Sequence, residues 1–196
     1  MTTVELTPRK NLWKFLIPVF AILALIVGSL LFIRHRVAQS PSIVQPGEQA
    51  LLTLRVGNSI PDLVIQEFNG SRRKISSLDK KVLLVNFWAT WCEPCLTEMP
   101  SIIRLRNAFK DKGFDVVAVN VDDKPETVVP KALRQIGIDF TVYTDPNEQL
   151  RDLFNIRGVP LSILLDRNRK ILMIHDGERD WNNHETRALI ERWLAG

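Results

Sequence analysis

The chain has 196 residues, 45% of them hydrophobic, and 26 basic against 22 acidic side chains give a net charge of +4. That length leaves room for one domain and an appendage. The charges form no basic stripe interleaved with aromatics, which excludes a nucleic-acid partner, and two cysteines with His35, His175 and His184 in no paired spacing do not make a zinc site.

Residues 1–14 are polar and contain Arg9, Lys10 and Lys14. Residues 15–33 carry no charge, a run long enough to cross a hydrocarbon core of about 30 Å as a helix, and Pro18 near its start is tolerable there. The run is longer than a signal-peptide core, and Arg34-His35-Arg36 stands where the small residues of a cleavage site would be. An uncleaved anchor is therefore predicted. The slight excess of positive charge before it places residues 1–14 in the cytoplasm and the rest outside. Residues 34–54, with Pro41, Pro46 and Gly47, read as a linker, and residues 55–196 as one domain.

Segments 62–68 and 72–75 flank Asn69-Gly70, which predicts a β-hairpin with a type I′ turn. Asn69-Gly70-Ser71 also fits a glycosylation acceptor pattern, but the turn accounts for the same residues. Residues 82–100, VLLVNFWATWCEPCLTEMP, then run from an apolar strand into a helix. At the junction stand Cys92 and Cys95, spaced C-x-x-C, with Leu96, Met99, Ile102, Ile103 and Phe109 following at helical spacing. Unpaired N–H groups and the positive dipole end of a helix stabilise a thiolate, so Cys92 is the candidate nucleophile and the more exposed sulfur. Cys95, one turn further in, is placed to close onto Cys92 and release a mixed disulfide. Pro94 fits the first helical turn, where no helical N–H bond is lost. A static disulfide closing so short a loop would be a poor staple.

The WATWCEPC…TEMP sequence resembles the membrane-anchored thioredoxin-like oxidoreductases of the TlpA/ResA/DsbE group, and the likeness extends from about Val56 to the C-terminus. It implies an α/β thioredoxin-like fold: a central mixed sheet flanked by helices, an N-terminal β-hairpin and a central insert, behind one transmembrane helix. It also implies Cys92 as attacking and Cys95 as resolving thiol. Gly158-Val159-Pro160 matches the group's cis-proline loop, and Glu98 an active-site glutamate. Asn86 stands where thioredoxin itself has a buried aspartate, which leaves Glu98 as the candidate proton acceptor. Trp91, Glu93, Pro94, Val159 and Pro160 are the candidate substrate-binding residues. The resemblance implies no cofactor beyond the Cys92/Cys95 pair. It implies protein disulfides such as those of apocytochrome c as substrates, and a membrane thiol reductant of the DsbD/CcdA kind as electron donor. The expected location is the bacterial inner membrane, with the domain on the periplasmic side.

Further along, 114–121 reads as a second buried strand and completes a β-α-β unit. Asp123 and Glu126 around Pro125 predict a capping-box helix start rather than a metal site, with the helix running to Gln135. A short strand at 140–143, a short helix at 150–154, a hairpin from 161–165 and 170–175, and a closing helix over 181–194 complete the chain. Asp180-Trp181 resembles a pair found near the end of the group's sequences and is given no catalytic role.

Glu93 and Glu98 are the only charges between Val82 and Ile103, and acidic neighbours oppose thiolate formation. A reductant or intermediate potential follows, unless a cation such as Arg104 or Arg157 folds onto the dithiol. Three other readings fit the dithiol less well. A copper metallochaperone would want wider cysteine spacing and a nearby histidine. A peroxidase would want a threonine-containing pocket around Cys92, and an oxidant a basic residue between the cysteines.

Overall fold

A computed structural model describes residues 54–196 except Asn147. The predicted cytoplasmic segment 1–14, the anchor 15–33 and nearly all of the linker lie outside the described residues. Among the described residues no helix is long and apolar enough to cross a membrane.

Strands β1 (Val64–Glu67) and β2 (Arg72–Lys74) pair antiparallel, with Ile65 opposite Arg73. The hairpin is the one predicted, but its turn is not type I′. That turn needs positive φ at both central residues, and here Gly70 has φ +91° while Asn69 stays negative. Gly70 N–H donates to Glu67 O and Glu67 N–H to Ser71 O, which makes a three-residue loop with glycine in the left-handed position. Asn69 Oδ1 accepts from Ser71 N–H instead, so its side chain props the loop from outside.

Strand β3 (Val82–Trp88) is buried at all seven positions. It pairs in parallel with β4 (Phe114–Asn120) and antiparallel with β6 (Leu161–Asp166). With β5 (Val142–Thr144) and β7 (Ile171–Asp176) the sheet has the order β2-β1-β5-β4-β3-β6-β7. Burial on both faces explains the unbroken apolar run of β3. The period-2 alternation then divides it. Val82, Leu84 and Trp88 pack with Met99, Ile102, Leu105, Trp181 and Ile190, whereas Leu83, Val85 and Phe87 pack with Ile65, Ile75, Leu150 and Phe154. Asn86 shares the first face with Val82, Leu84 and Trp88. It is therefore turned toward the redox helix.

That helix, α1 (Glu93–Phe109), buries Cys95, Glu98, Met99, Ile102, Leu105 and Phe109, a stripe at three- and four-residue spacing. Full burial of each large apolar side chain contributes about 1.5–3 kcal/mol. After α1 the chain turns through Gly113, whose φ of +100° strains any side chain and where a β-carbon would press on Lys81 Cγ at 3.2 Å.

Helix α2 (Pro125–Ile136) corrects the capping expectation. Its N-cap is Lys124, with no side-chain cap bond, and Asp123 is exposed. Pro125 occupies the first helical position, which moves the boundary one residue past the aspartate. β5 lies two residues later at its start than predicted. The short helix α3 (Gln149–Leu153) is started by Asp145, whose carboxylate accepts from Leu150 and Arg151 N–H. The closing helix α4 (His184–Ala195) begins three residues later than predicted, because Asn183 is its cap and accepts from Thr186 N–H at 2.8 Å. Trp181 therefore sits before the helix, fully buried.

Candidate active site at the end of the central strand

Strand β3 ends at Trp88, and the turn Ala89-Thr90-Trp91 leads into α1. Asp122, just past the parallel neighbour β4, fixes this turn. Its carboxylate accepts from Thr90 N–H at 2.9 Å, Thr90 Oγ1 at 2.8 Å and Asn120 Nδ2 at 2.7 Å. Asp122 thereby sews the redox turn to the next strand, a role the sequence pattern did not reveal.

Cys92 is the N-cap of α1, and Cys95 N–H donates to its sulfur at 3.2 Å. The two cysteines form a disulfide, with an S–S distance of 2.06 Å. Cys92 is 5% exposed and Cys95 fully buried, so the first sulfur is the one at the surface. Around it Trp91 is 69% exposed, and Glu93 and Pro94 are also exposed. The Val159–Pro160 peptide bond is cis, and Val159 O lies 3.5 Å from Cys92 Sγ. Thus Trp91, Glu93, Pro94 and Val159 meet at one surface around Cys92, with Pro160 buried behind. No hydrogen bond or ion pair among the described residues brings Arg104 or Arg157 to the sulfurs.

Glu98, one turn beyond Cys95, is 2% exposed. Its Oε1 accepts from Asn86 Nδ2 at 2.8 Å, and its Oε2 from Trp181 Nε1 at 3.1 Å and Arg179 N–H at 3.2 Å. Burial pushes the Glu98 carboxyl above the usual carboxylate range, and the N–H donors from Trp181, Asn86 and Arg179 pull it only partly back. A carboxyl held in this way exchanges a proton nearer neutrality than an exposed one. Trp181, Arg179 and Ser162 were not predicted as site residues. Asp180-Trp181 was noticed, but a tryptophan's apolar burial hides its one donor. Ser101 completes the surround, donating to Glu98 O and accepting from Trp181 N–H.

A strand-to-helix dithiol facing a cis-proline loop, on a mixed sheet of this order, defines a thioredoxin-like disulfide oxidoreductase. The Redoxin family pattern matches residues 55–190. Thiol-disulfide oxidoreductase ResA of Geobacillus kaustophilus is 33% identical over 139 residues, covering 71% of this chain and 76% of that one. ResA of Bacillus subtilis is 32% identical over 121 residues, 62% of this chain and 67% of that one. A crystal structure assigned as thiol:disulfide interchange protein DsbE from Chlorobium tepidum superposes with a TM-score of 0.65 at 36% identity, covering 72% of this chain and 99% of the other. The chain belongs to the redoxin family, in its ResA/DsbE-like group of thiol-disulfide oxidoreductases.

Proposed function

We propose that the protein is a reductant working outside the cytoplasm, held at the bacterial inner membrane by residues 15–33. In this reading residues 1–14 are cytoplasmic, 34–54 are the linker and 55–196 the working domain. Cys92 thiolate attacks a substrate disulfide, joining one substrate sulfur and expelling the other as thiolate. Trp91, Glu93 and Pro94 border the docked partner, and Val159 offers it an extended backbone edge that Pro160 holds in place. Cys95 then attacks the Cys92 sulfur, which releases the second substrate thiolate and leaves the Cys92–Cys95 disulfide. Glu98 accepts the Cys95 proton in that step. No cofactor is needed, because the two electrons come from the dithiol and return from a membrane thiol donor of the DsbD/CcdA kind. The oxidised haem-binding cysteines of an apocytochrome c are the substrate class favoured.

One observation carries the reading: Glu98 is buried one helical turn past the resolving cysteine, while Glu93 is the only charged residue between the two cysteines in sequence. An oxidant needs the opposite arrangement, a strongly stabilised thiolate. The test is the reduction potential of the full chain in detergent, equilibrated in thiol–disulfide buffers and followed by tryptophan fluorescence. A value of about −200 to −270 mV is expected for a reductant. A value near about −120 mV would make the protein an oxidant and overturn the proposal.

A further inference from the structure

Across one sheet face, Asn86 on β3 stands opposite Ser162 on β6, and Ser162 opposite His175 on β7. These polar residues interrupt a face otherwise built from Val82, Leu84, Trp88 and Leu164. Asn86 is fully buried and Ser162 is 2% exposed. A single atom, Asn86 Nδ2, makes both of the contacts found here, donating to Glu98 Oε1 at 2.8 Å and to Ser162 Oγ at 2.9 Å. Asn86 Oδ1 is buried with no hydrogen-bond partner among the described residues, and an unpaired buried acceptor is costly.

The two oxygens of Glu98 differ in what they can do once a proton arrives. Oε2 faces the indole N–H of Trp181 and the backbone N–H of Arg179, and neither of these can accept a hydrogen bond. A proton there would meet two fixed donors. Oε1 faces Asn86 alone, and a carboxamide has a donor and an acceptor that exchange places on a half-turn about Cβ–Cγ. After that half-turn Oδ1 faces both Glu98 and Ser162, whose hydroxyl is free to turn from acceptor to donor. Each orientation leaves one amide group unpaired, Oδ1 in one and Nδ2 in the other. The two are therefore matched in what they leave unmet, and the charge on Glu98 selects between them.

We infer that Asn86 and Ser162 form a reversible hydrogen-bond switch that receives the Glu98 proton on Oε1. With Glu98 ionised, the amide donates to it. With Glu98 protonated, the amide turns and accepts from both Glu98 O–H and Ser162 O–H. The inference rests on Glu98 as the proton acceptor. The only proton moved is the one leaving the Cys95 thiol, and no other bond to a heavy atom changes. Asn86 and Ser162 are positioning residues that act through Glu98. The titratable and charged groups around Glu98 are the cysteine pair on α1, His175 edge-on to Trp181 at 5.8 Å, and Glu178, Arg179 and Asp180 after β7.

The experiment uses the full chain in detergent micelles, labelled with carbon-13 and nitrogen-15 and kept as the disulfide so that no thiol titrates. The Glu98 carboxyl shift and the Asn86 amide protons are followed together over pH. Above the Glu98 midpoint the amide protons should show cross-relaxation to the Ser162 β-protons. Below it that signal should fall several-fold, with the same midpoint. Glu98→Gln, whose amide mimics the protonated acid, should show the low-pH pattern at every pH. An Asn86 pattern unchanged across the Glu98 titration overturns the switch, and so does a Glu98→Gln variant that keeps the high-pH pattern. Failure of the underlying reading has a separate signature: the pH dependence of turnover would be the same in Glu98→Gln and wild type, whatever the amide does.

Discussion

Glu98 is the residue on which burial and chemistry bear most directly. Its carboxyl is raised by desolvation, so the ionised form that accepts the Cys95 proton is present only above a midpoint higher than the usual carboxylate range. Turnover should therefore rise with pH through that midpoint. Glu98→Gln should lose this limb and slow turnover by about 10²-fold, at the low end of what a positioned base supplies. Stability follows the same sign. A carboxyl whose folded pKa lies above its unfolded one favours folding most below the unfolded value, and that contribution is lost as pH rises through the folded pKa. Melting temperatures of wild type and Glu98→Gln should accordingly diverge over this window, with the wild type falling relative to the variant as pH rises. A pH–rate profile with the same limb in both proteins would remove Glu98 from the mechanism. The charged Glu98 was legible in the sequence, whereas its surroundings were not. Trp181 and Arg179 lie about eighty residues away, and only the packing of the post-β7 segment brings them to α1.

At the level of elements, the redox turn depends on how β3 hands over to α1. Strands, helix and dithiol were readable because the apolar run, the C-x-x-C spacing and the helical stripe are local signals. Period-2 alternation even places Asn86 on the α1 face once β3 is recognised. Element junctions were less readable. Asp123 looked like a cap, yet the proline two positions later made Lys124 the N-cap and left the neighbouring Asp122 to hold the redox turn. Trp181 looked helical, yet Asn183 captures the first free N–H and starts α4 later. One boundary is set by a proline and the other by a single capping hydrogen bond, neither of which periodicity sees. Asp122→Ala tests the junction. It strips the acceptor from Thr90 N–H, Thr90 Oγ1 and Asn120 Nδ2, and should cost about 1–3 kcal/mol in chemical denaturation. Loosening the turn should also reduce the rate of attack by Cys92. A variant as stable and as fast as wild type would show that the turn holds its shape without Asp122.

On the scale of the whole domain, charge is divided between the two ends of the sheet. The starts of β3 and β4 and the β6–β7 turn lie together, since Val82 pairs with both Phe114 and Asp166. That end carries Lys80, Lys81, Lys110, Lys112, Arg167, Arg169 and Lys170 against Asp79, Asp111, Asp115 and Asp166. The opposite end, where β3 hands over to Cys92, carries Glu93, Asp122, Asp123, Glu126, Asp176, Glu178 and Asp180 against Lys124, Arg157 and Arg179. An acidic rim raises the local concentration of cations and repels anions, and the effect acts on association rather than on the chemical step. The reduced protein should therefore react faster with cystamine, a cationic disulfide, than with dithiodipropionate, its anionic counterpart of similar size. A preference of roughly tenfold or more is expected at about 10 mM salt, where the screening length is about 30 Å. It should shrink toward unity at about 1 M, where that length falls to about 3 Å. Neutralising the exposed pair with Asp123→Asn and Glu126→Gln should remove part of the preference and leave the reduction potential unchanged, because neither side chain contacts the sulfurs. Equal rates for the two disulfides at low salt would rule out steering by the rim. A preference that survives high salt would instead assign selectivity to direct contact beside Trp91 and Val159.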